Sequence, residues 1–208
     1  MIPFETIAVF FTASVALALA PGPDNIFVLT QSAIQGRAAG LFVTLGLCTG
    51  LLVHTAAVSL GVAALFAASA VAFNTLKIIG AAYLAWLAWQ AFRAGTSDIL
   101  ERRNTAIRSH HLYLRGIVMN VTNPKVAIFF LAFLPQFADP SRGALPLQLM
   151  LFGAIFIVAA LLVFSAISWF AGFLGEKLGK SRRAQIVLNR VAGTVFAGLA
   201  LRLITAER

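Results

Sequence analysis

Pro21-Gly22-Pro23-Asp24-Asn25 stands inside an otherwise apolar segment of roughly residues 5–34. Asn120, Thr122, Asn123, Pro124 and Lys125 stand likewise inside roughly 115–138. A proline removes the hydrogen bond its N–H would give to the carbonyl four residues earlier. Leu17 and Leu19 therefore lose helical partners in the first segment, and Asn120 does in the second. Gly22 adds a flexible joint. Bare carbonyls in hydrocarbon cost several kcal/mol each, so both breaks must face protein or a polar cavity.

The surrounding chain explains why hydrocarbon is the expected medium. Charge-free windows run over residues 6–23, 38–76, 78–92, 126–138, 143–175 and 191–201. A spanning helix needs about 20 largely apolar residues. Strict alternation of the barrel kind is absent, as in Leu151-Phe152-Gly153-Ala154-Ile155-Phe156-Ile157-Val158, which leaves helices. The expectation is an all-α membrane protein with six transmembrane helices, at roughly 5–34, 38–66, 71–93, 115–138, 146–174 and 187–206. Composition agrees: the 208 residues are 60% apolar and 11% charged, with a mean hydropathy of +0.91. That excludes an ordinary cytosolic enzyme, a disordered tail and a disulfide-stapled secreted module. Ala18-Leu19-Ala20 resembles a signal cleavage site, yet the stretch before it carries Glu5 and no Lys or Arg, and Pro21 would follow the cut. The segment is read as retained.

The net charge of +9 follows topology. Links after the odd-numbered spans hold Arg37; Arg93, Arg102, Arg103, Arg108 and Arg115; and Lys177, Lys180, Arg182, Arg183 and Arg190. The opposite side holds Lys77, Arg142, Arg202 and Arg208, so the ratio is eleven to four. The richer side is expected to be cytoplasmic, with both termini outside. No basic stripe carries interleaved aromatics, so nucleic acid is not an expected partner. Cys48 is the only cysteine, which excludes a disulfide and a thiol metal cluster.

The chain also repeats itself. Lys77-Ile78-Ile79-Gly80-Ala81-Ala82-Tyr83 aligns with Arg190-Val191-Ala192-Gly193-Thr194-Val195-Phe196, Gly46 with Gly153 and Pro23 with Pro124. Three spans per half is an odd number, so the second copy must lie inverted. The prediction is one transmembrane domain over 1–208: repeat one about 1–93, a basic cytoplasmic linker about 94–114, and repeat two about 115–208. Such a 3+3 inverted repeat, with its first and fourth helices broken in matching places, is the signature of a secondary transporter.

At 1.5 Å per residue, Asp24 lies roughly 20 Å above Arg37 and Lys125 roughly 15 Å above Arg115, so both charges sit near mid-membrane. One arrangement is a buried Asp24–Lys125 ion pair that fixes helix register. Another is a zwitterion site. There a substrate carboxylate meets freed N–H groups after Pro23 or Pro124, with Lys125 nearby, and an ammonium meets exposed carbonyls and Asp24. The two are compatible, since a pair can open around substrate. The candidate substrate-binding residues are Pro23, Asp24, Asn25, Asn120, Asn123, Pro124 and Lys125. Proton-coupling candidates are Asp24 and His54, the latter because a mid-span histidine can take and release a proton, the alternative being a neutral core histidine bonded to a neighbouring helix. Gly36/Gly40 and Gly46/Gly50 read as close helix packing, with a homodimer the weaker alternative. Gln31, Asn74, Asn120 and Thr122 either line the path or bond between helices. Trp86, Trp89 and Trp169 read as interfacial anchors. His110 and His111, placed in the basic loop, lack a ligand set, so no metal is expected. No catalytic or cofactor-binding motif occurs, so neither enzymatic activity nor a cofactor is expected.

Asn123-Pro124-Lys125 with Phe133-Leu134-Pro135-Gln136-Phe137 resembles the LysE superfamily of amino-acid exporters. So do Pro21-Gly22-Pro23-Asp24-Asn25 and Leu76-Lys77-Ile78-Ile79-Gly80-Ala81-Ala82-Tyr83-Leu84. The similarity covers essentially the whole chain and is greatest to the RhtB branch, which exports homoserine, homoserine lactone and threonine. The resemblance implies six helices in a bacterial inner membrane. It also implies proton-driven efflux of a small amino acid or derivative, homoserine- or threonine-like or another neutral or basic amino acid. Two other functions remain in view: a membrane scaffold subunit that transports nothing, and a divalent-cation exporter. The cation exporter is disfavoured by the shortage of intramembrane carboxylates.

Overall fold

The computed structural model describes residues 2–62, 70–93, 108–171 and 182–205. All regular structure among them is helical. The helices are α1 (Phe4–Leu19), α2 (Pro23–Gln35), α3 (Arg37–Ala57), α4 (Ala70–Arg93), α5 (Ser109–Val121), α6 (Pro124–Ile128), α7 (Leu145–Trp169) and α8 (Arg182–Thr205). A π turn, Val58–Val62, extends α3. A π turn, Phe129–Phe133, and a 3-10 turn, Leu134–Phe137, extend α6.

Residues Arg37–Gly61 and helix α7, 25 residues each, are long and apolar enough to cross a membrane. Two bent pairs pass the same test as units. One is α1 with α2, bent by 61°, and the other is α5 with α6 and its extension, bent by 49°. Up to four spans therefore qualify on length and composition. Helices α4 and α8, 24 residues each, coincide with the third and sixth expected segments and pack along one another.

Both breaks fall at the prolines, for the backbone reason given above. Pro23 is the first residue of α2 and Pro124 the first of α6, where a missing N–H costs nothing. Between Ser109 and Leu114 nothing breaks a helix, and Leu112 is fully buried. Helix α5 therefore begins before the expected boundary. His110 and His111, expected in a loop, lie in its exposed first turn with ring centroids 3.9 Å apart. Arg102, Arg103, Lys177, Lys180 and Arg208, which bear on orientation, lie outside the described residues.

Burial is inverted relative to a protein in water. Leu52, Leu60, Ile78, Leu147, Leu162 and Leu201 are exposed, while Asp24, Gln31, Asn120, Asn123 and Lys125 are buried. An apolar exterior of this extent requires an apolar surrounding. Inside, Phe10 of α1, Phe129, Phe130, Phe133 and Phe137 of the α6 extension, and Phe152 and Phe156 of α7 form one aromatic cluster. Its ring centroids include Phe10–Phe152 at 4.8 Å and Phe129–Phe156 at 5.2 Å.

Helix α3 packs against α2, α5 and α7. Its contact with α5 is backbone to backbone: a Cβ on Gly116 would lie 2.6 Å from the Val43 carbonyl, and one on Gly46 would strike the Tyr113 carbonyl. The Gly46/Gly50 face is thus filled from within the chain. At the helix ends, the Arg37 guanidinium stacks on Trp169 at 4.4 Å and Arg93 on Trp89 at 4.6 Å. Trp86, Trp89 and Trp169 are all exposed, as anchors at an interface would be.

Candidate functional site

The two breaks meet. Gly22 caps α2, so Pro23 and Asp24 are its first and second residues. Asn123 caps α6, so Pro124 and Lys125 take the same two places. A carboxylate and an ammonium thus occupy equivalent positions on two half-helices. Asp24 is 2% exposed and Lys125 7% exposed.

They do not form the ion pair that was one expected arrangement. Asn123 links them instead. Its Nδ2 donates to Asp24 Oδ2 at 2.9 Å, and its Oδ1 accepts the Lys125 backbone N–H at 3.0 Å. The backbone geometry of a proline-initiated helix explains this. Asn123 needs its side-chain oxygen for the orphan N–H of the first turn, which aims its amide nitrogen at the carboxylate.

The Lys125 ammonium crosses to the other break. Nζ donates to the Ala20 carbonyl at 3.1 Å and the Leu17 carbonyl at 3.4 Å. Asn25 Nδ2 donates to the Ala18 carbonyl at 2.7 Å. In the second break the Asn120 carbonyl, deprived of its helical partner by Pro124, accepts the Asn123 backbone N–H at 3.0 Å and meets His54 Nε2 at 3.1 Å. A carbonyl only accepts, so Nε2 carries the hydrogen in this contact. Of the three expected orphans, Leu17 and Asn120 are thus each reached by an ionisable side chain from the opposite half of the chain, Asn120 in addition to its bond from Asn123.

Three side-chain oxygens around the breaks are buried without a partner: Asp24 Oδ1, Asn25 Oδ1 and Asn120 Oδ1. Asn120 and His54 both lie close to Asp24. All three orphans are acceptors, and a buried acceptor left unpaired costs about 1–3 kcal/mol, more when charged. Such a cluster suits a donor-rich cation. Lys125, on the other side, supplies the positive charge a carboxylate needs.

Pro23, Asp24, Asn25, His54, Asn120, Asn123, Pro124 and Lys125 are therefore brought together. Asn74 and Thr122 are exposed, and the Thr122 hydroxyl bonds back to the Val118 carbonyl at 2.8 Å, so neither belongs here. Gln31 is buried but accepts from Gln35 at 2.6 Å, within its own helix.

Three further contributors are not assigned to the site from the sequence. Phe130 lies beside the His54 ring, with centroids 5.6 Å apart. The Ala20 carbonyl is the shorter of the two ammonium acceptors. Gly50 seats Asn120: a Cβ there would lie 2.7 Å from Asn120 Cβ and 2.8 Å from its Oδ1. The spacing of Phe129, Phe130, Phe133 and Phe137 offered a signal for the first, and the Gly46/Gly50 spacing, read as helix packing, a signal for the last.

The family model described as LysE type translocator matches residues 15–207. A homoserine/homoserine lactone efflux protein of Salmonella typhi is 33% identical over 205 residues, covering 98% of each chain. An uncharacterized membrane protein of Vibrio cholerae is 31% identical over 198 residues, covering 95% of this chain and 96% of its own. A leucine efflux protein of Salmonella choleraesuis is 25% identical over 199 residues, covering 95% of this chain and 94% of its own. No solved structure matches the chain.

Proposed function

We propose, from the premise that this chain belongs to the LysE type translocator family and is a multi-pass membrane transporter rather than an enzyme, that it exports a small amino acid or amino-acid derivative. The curated relatives named for homoserine, homoserine lactone and leucine efflux support this class. The observation that carries it is the pairing of orphaned acceptors with a buried ammonium where two proline breaks meet.

The substrate ammonium binds Asp24 Oδ1 and Asn120 Oδ1. Its carboxylate draws on Lys125 and on the first-turn N–H groups of α2, where the helix dipole is positive. Pro23 and Pro124 create the site, Asn25 holds the first break by its bond to Ala18, and Asn123 spaces the two charges.

Six spans in two inverted halves is the architecture we assign, with both termini outside a bacterial cytoplasmic membrane. The packing supports it. Exchanging the halves maps the α4–α8 and α3–α7 contacts onto themselves and swaps α1–α7 with α3–α5. Alternating access then rocks one half against the other about the breaks. Protons drive the cycle, with His54 and Asp24 as carriers. One proton crossing about 150 mV supplies roughly 3.5 kcal/mol, between two and three decades of gradient.

Dipeptide feeding of a host stripped of its own exporters tests this function. Cells making the wild type should survive a dipeptide whose amino acid they export, and cells making Lys125→Ala should not. Equal intracellular accumulation with and without the wild type, across a panel of amino acids, would refute it.

A further inference from the structure

We infer that the Leu17 and Ala20 carbonyls, beside the side-chain-free face of Gly22, form a second ammonium-binding cup, and that Lys125 occupies it as a tethered stand-in when no substrate is bound. The inference rests on the transporter function proposed above and extends it to the selection of substrate.

The geometry sets Lys125 apart from a structural lysine. A buried ammonium is normally retained by a carboxylate partner. Lys125 has one in the same site, with a free buried oxygen at Asp24 Oδ1, and does not contact it. Its Nζ instead takes two backbone carbonyls at 3.1 and 3.4 Å. These oxygens exist as acceptors only because Pro21 and the break behind it prevent the helix from using them. Gly22 makes the cup possible: a Cβ there would lie 3.1 Å from Nζ and 3.7 Å from Cε. Neutral carbonyls hold an ammonium more weakly than a carboxylate does. Lys125 is thus fastened firmly enough to close the empty site and loosely enough to leave.

A carboxylate arriving beside Lys125 supplies the charged partner the cup lacks and draws Nζ out. The two charges of the site sum to zero, and a zwitterion with an uncharged side chain keeps that sum. A free α-carboxylate beside a primary ammonium is therefore what releases Lys125, so within the class proposed above free amino acids are favoured over derivatives that lack the carboxylate. A small primary amine cannot recruit Lys125 and finds the cup already filled. The favoured class is the neutral α-amino acids. Those with cationic side chains place an extra charge in a balanced site.

The test uses ethylammonium as the probe on purified full-length protein, by thermal unfolding in micelles. Lys125→Ala empties the cup. At about ten times its dissociation constant, ethylammonium should then raise the midpoint by about 3–6 °C. Tetramethylammonium, which has no N–H, should not. Wild type and Lys125→Met, whose apolar stem still fills the cup, keep only the Asp24–Asn120 acceptors and should shift with ethylammonium by clearly less than Lys125→Ala does. If Lys125→Ala can be purified only with ethylammonium present, that dependence is the same result. An equal response of Lys125→Ala and wild type overturns the inference, as does a response to tetramethylammonium. Failure to recover Lys125→Ala with or without amine, while Lys125→Met folds normally, also overturns it. Because the readout needs no transport, loss of the amine effect with intact export sinks only the cup. Absence of export with an intact amine effect sinks the transporter function.

Discussion

Asn123→Ala removes two bonds at once, and their separate costs can be worked from the geometry. The first is the N-cap of α6, in which Asn123 Oδ1 accepts the Lys125 N–H at 3.0 Å. Replacing such a cap by alanine costs about 1 kcal/mol. The second is the donor to Asp24 Oδ2 at 2.9 Å. Hydrogen bonds to charged groups are worth about 1.5–3 kcal/mol in soluble proteins. Double-mutant cycles inside membranes average only about 0.6 kcal/mol and reach about 1.7. A carboxylate acceptor that is 2% exposed belongs at the upper end of that range, at about 1.5 kcal/mol. The sum is about 2.5 kcal/mol, roughly a 60-fold fall in the folded-to-unfolded ratio. Asn123→Ser retains a capping oxygen without reaching Asp24, so it should lose only about 1.5 kcal/mol. The assay is reversible unfolding in mixed micelles, followed by the fluorescence of Trp86, Trp89 and Trp169. A cycle with Asp24→Ala isolates the pair, because both single variants remove the same bond. A coupling energy below about 0.5 kcal/mol would refute the assignment of Asn123 as the link between the two charges.

Gly50→Leu forces a side chain into the seat of Asn120 and should cost about 1–3 kcal/mol as overpacking, with export reduced more than protein abundance in membranes. His54→Gln keeps an N–H for the Asn120 carbonyl but not a titratable ring. Gradient-driven accumulation should fall while substrate exchange without a gradient persists, measured in proteoliposomes. The exposed turn at Asp139 should be silent near neutrality. Bonds from the Ser141 hydroxyl and backbone N–H, with Arg142, hold its carboxyl below the usual value of 3.8. Its contribution is thus fully present above that value and lost only as pH falls through the lower folded one. Asp139→Asn should therefore leave the pH profile of export unchanged between about pH 5 and 8, and a changed profile would assign it a transport role.

Local chemistry was legible in the chain. Proline acts on the carbonyl four residues before it, so both breaks could be placed from the sequence, and the bends of 61° and 49° fall there. Long charge-free windows marked the helices because a bilayer tolerates little else. The members of the site could be named because an Asp, a Lys, a His and side-chain amides inside apolar helices are too costly to be incidental. What they touch was not legible. Lys125 and Leu17 are 108 residues apart, His54 and Asn120 are 66 apart, and Asp24 and Asn123 are 99 apart. Opposite charges at matching positions invited an ion pair. Tertiary packing instead placed an amide between them, sent the ammonium to carbonyls and left acceptors open. Partner choice among buried polar groups depends on distances of a few tenths of an ångström between helices. Those distances are decided by where Gly46 and Gly116 let backbones approach and Gly50 admits the Asn120 side chain, which only the folded chain sets.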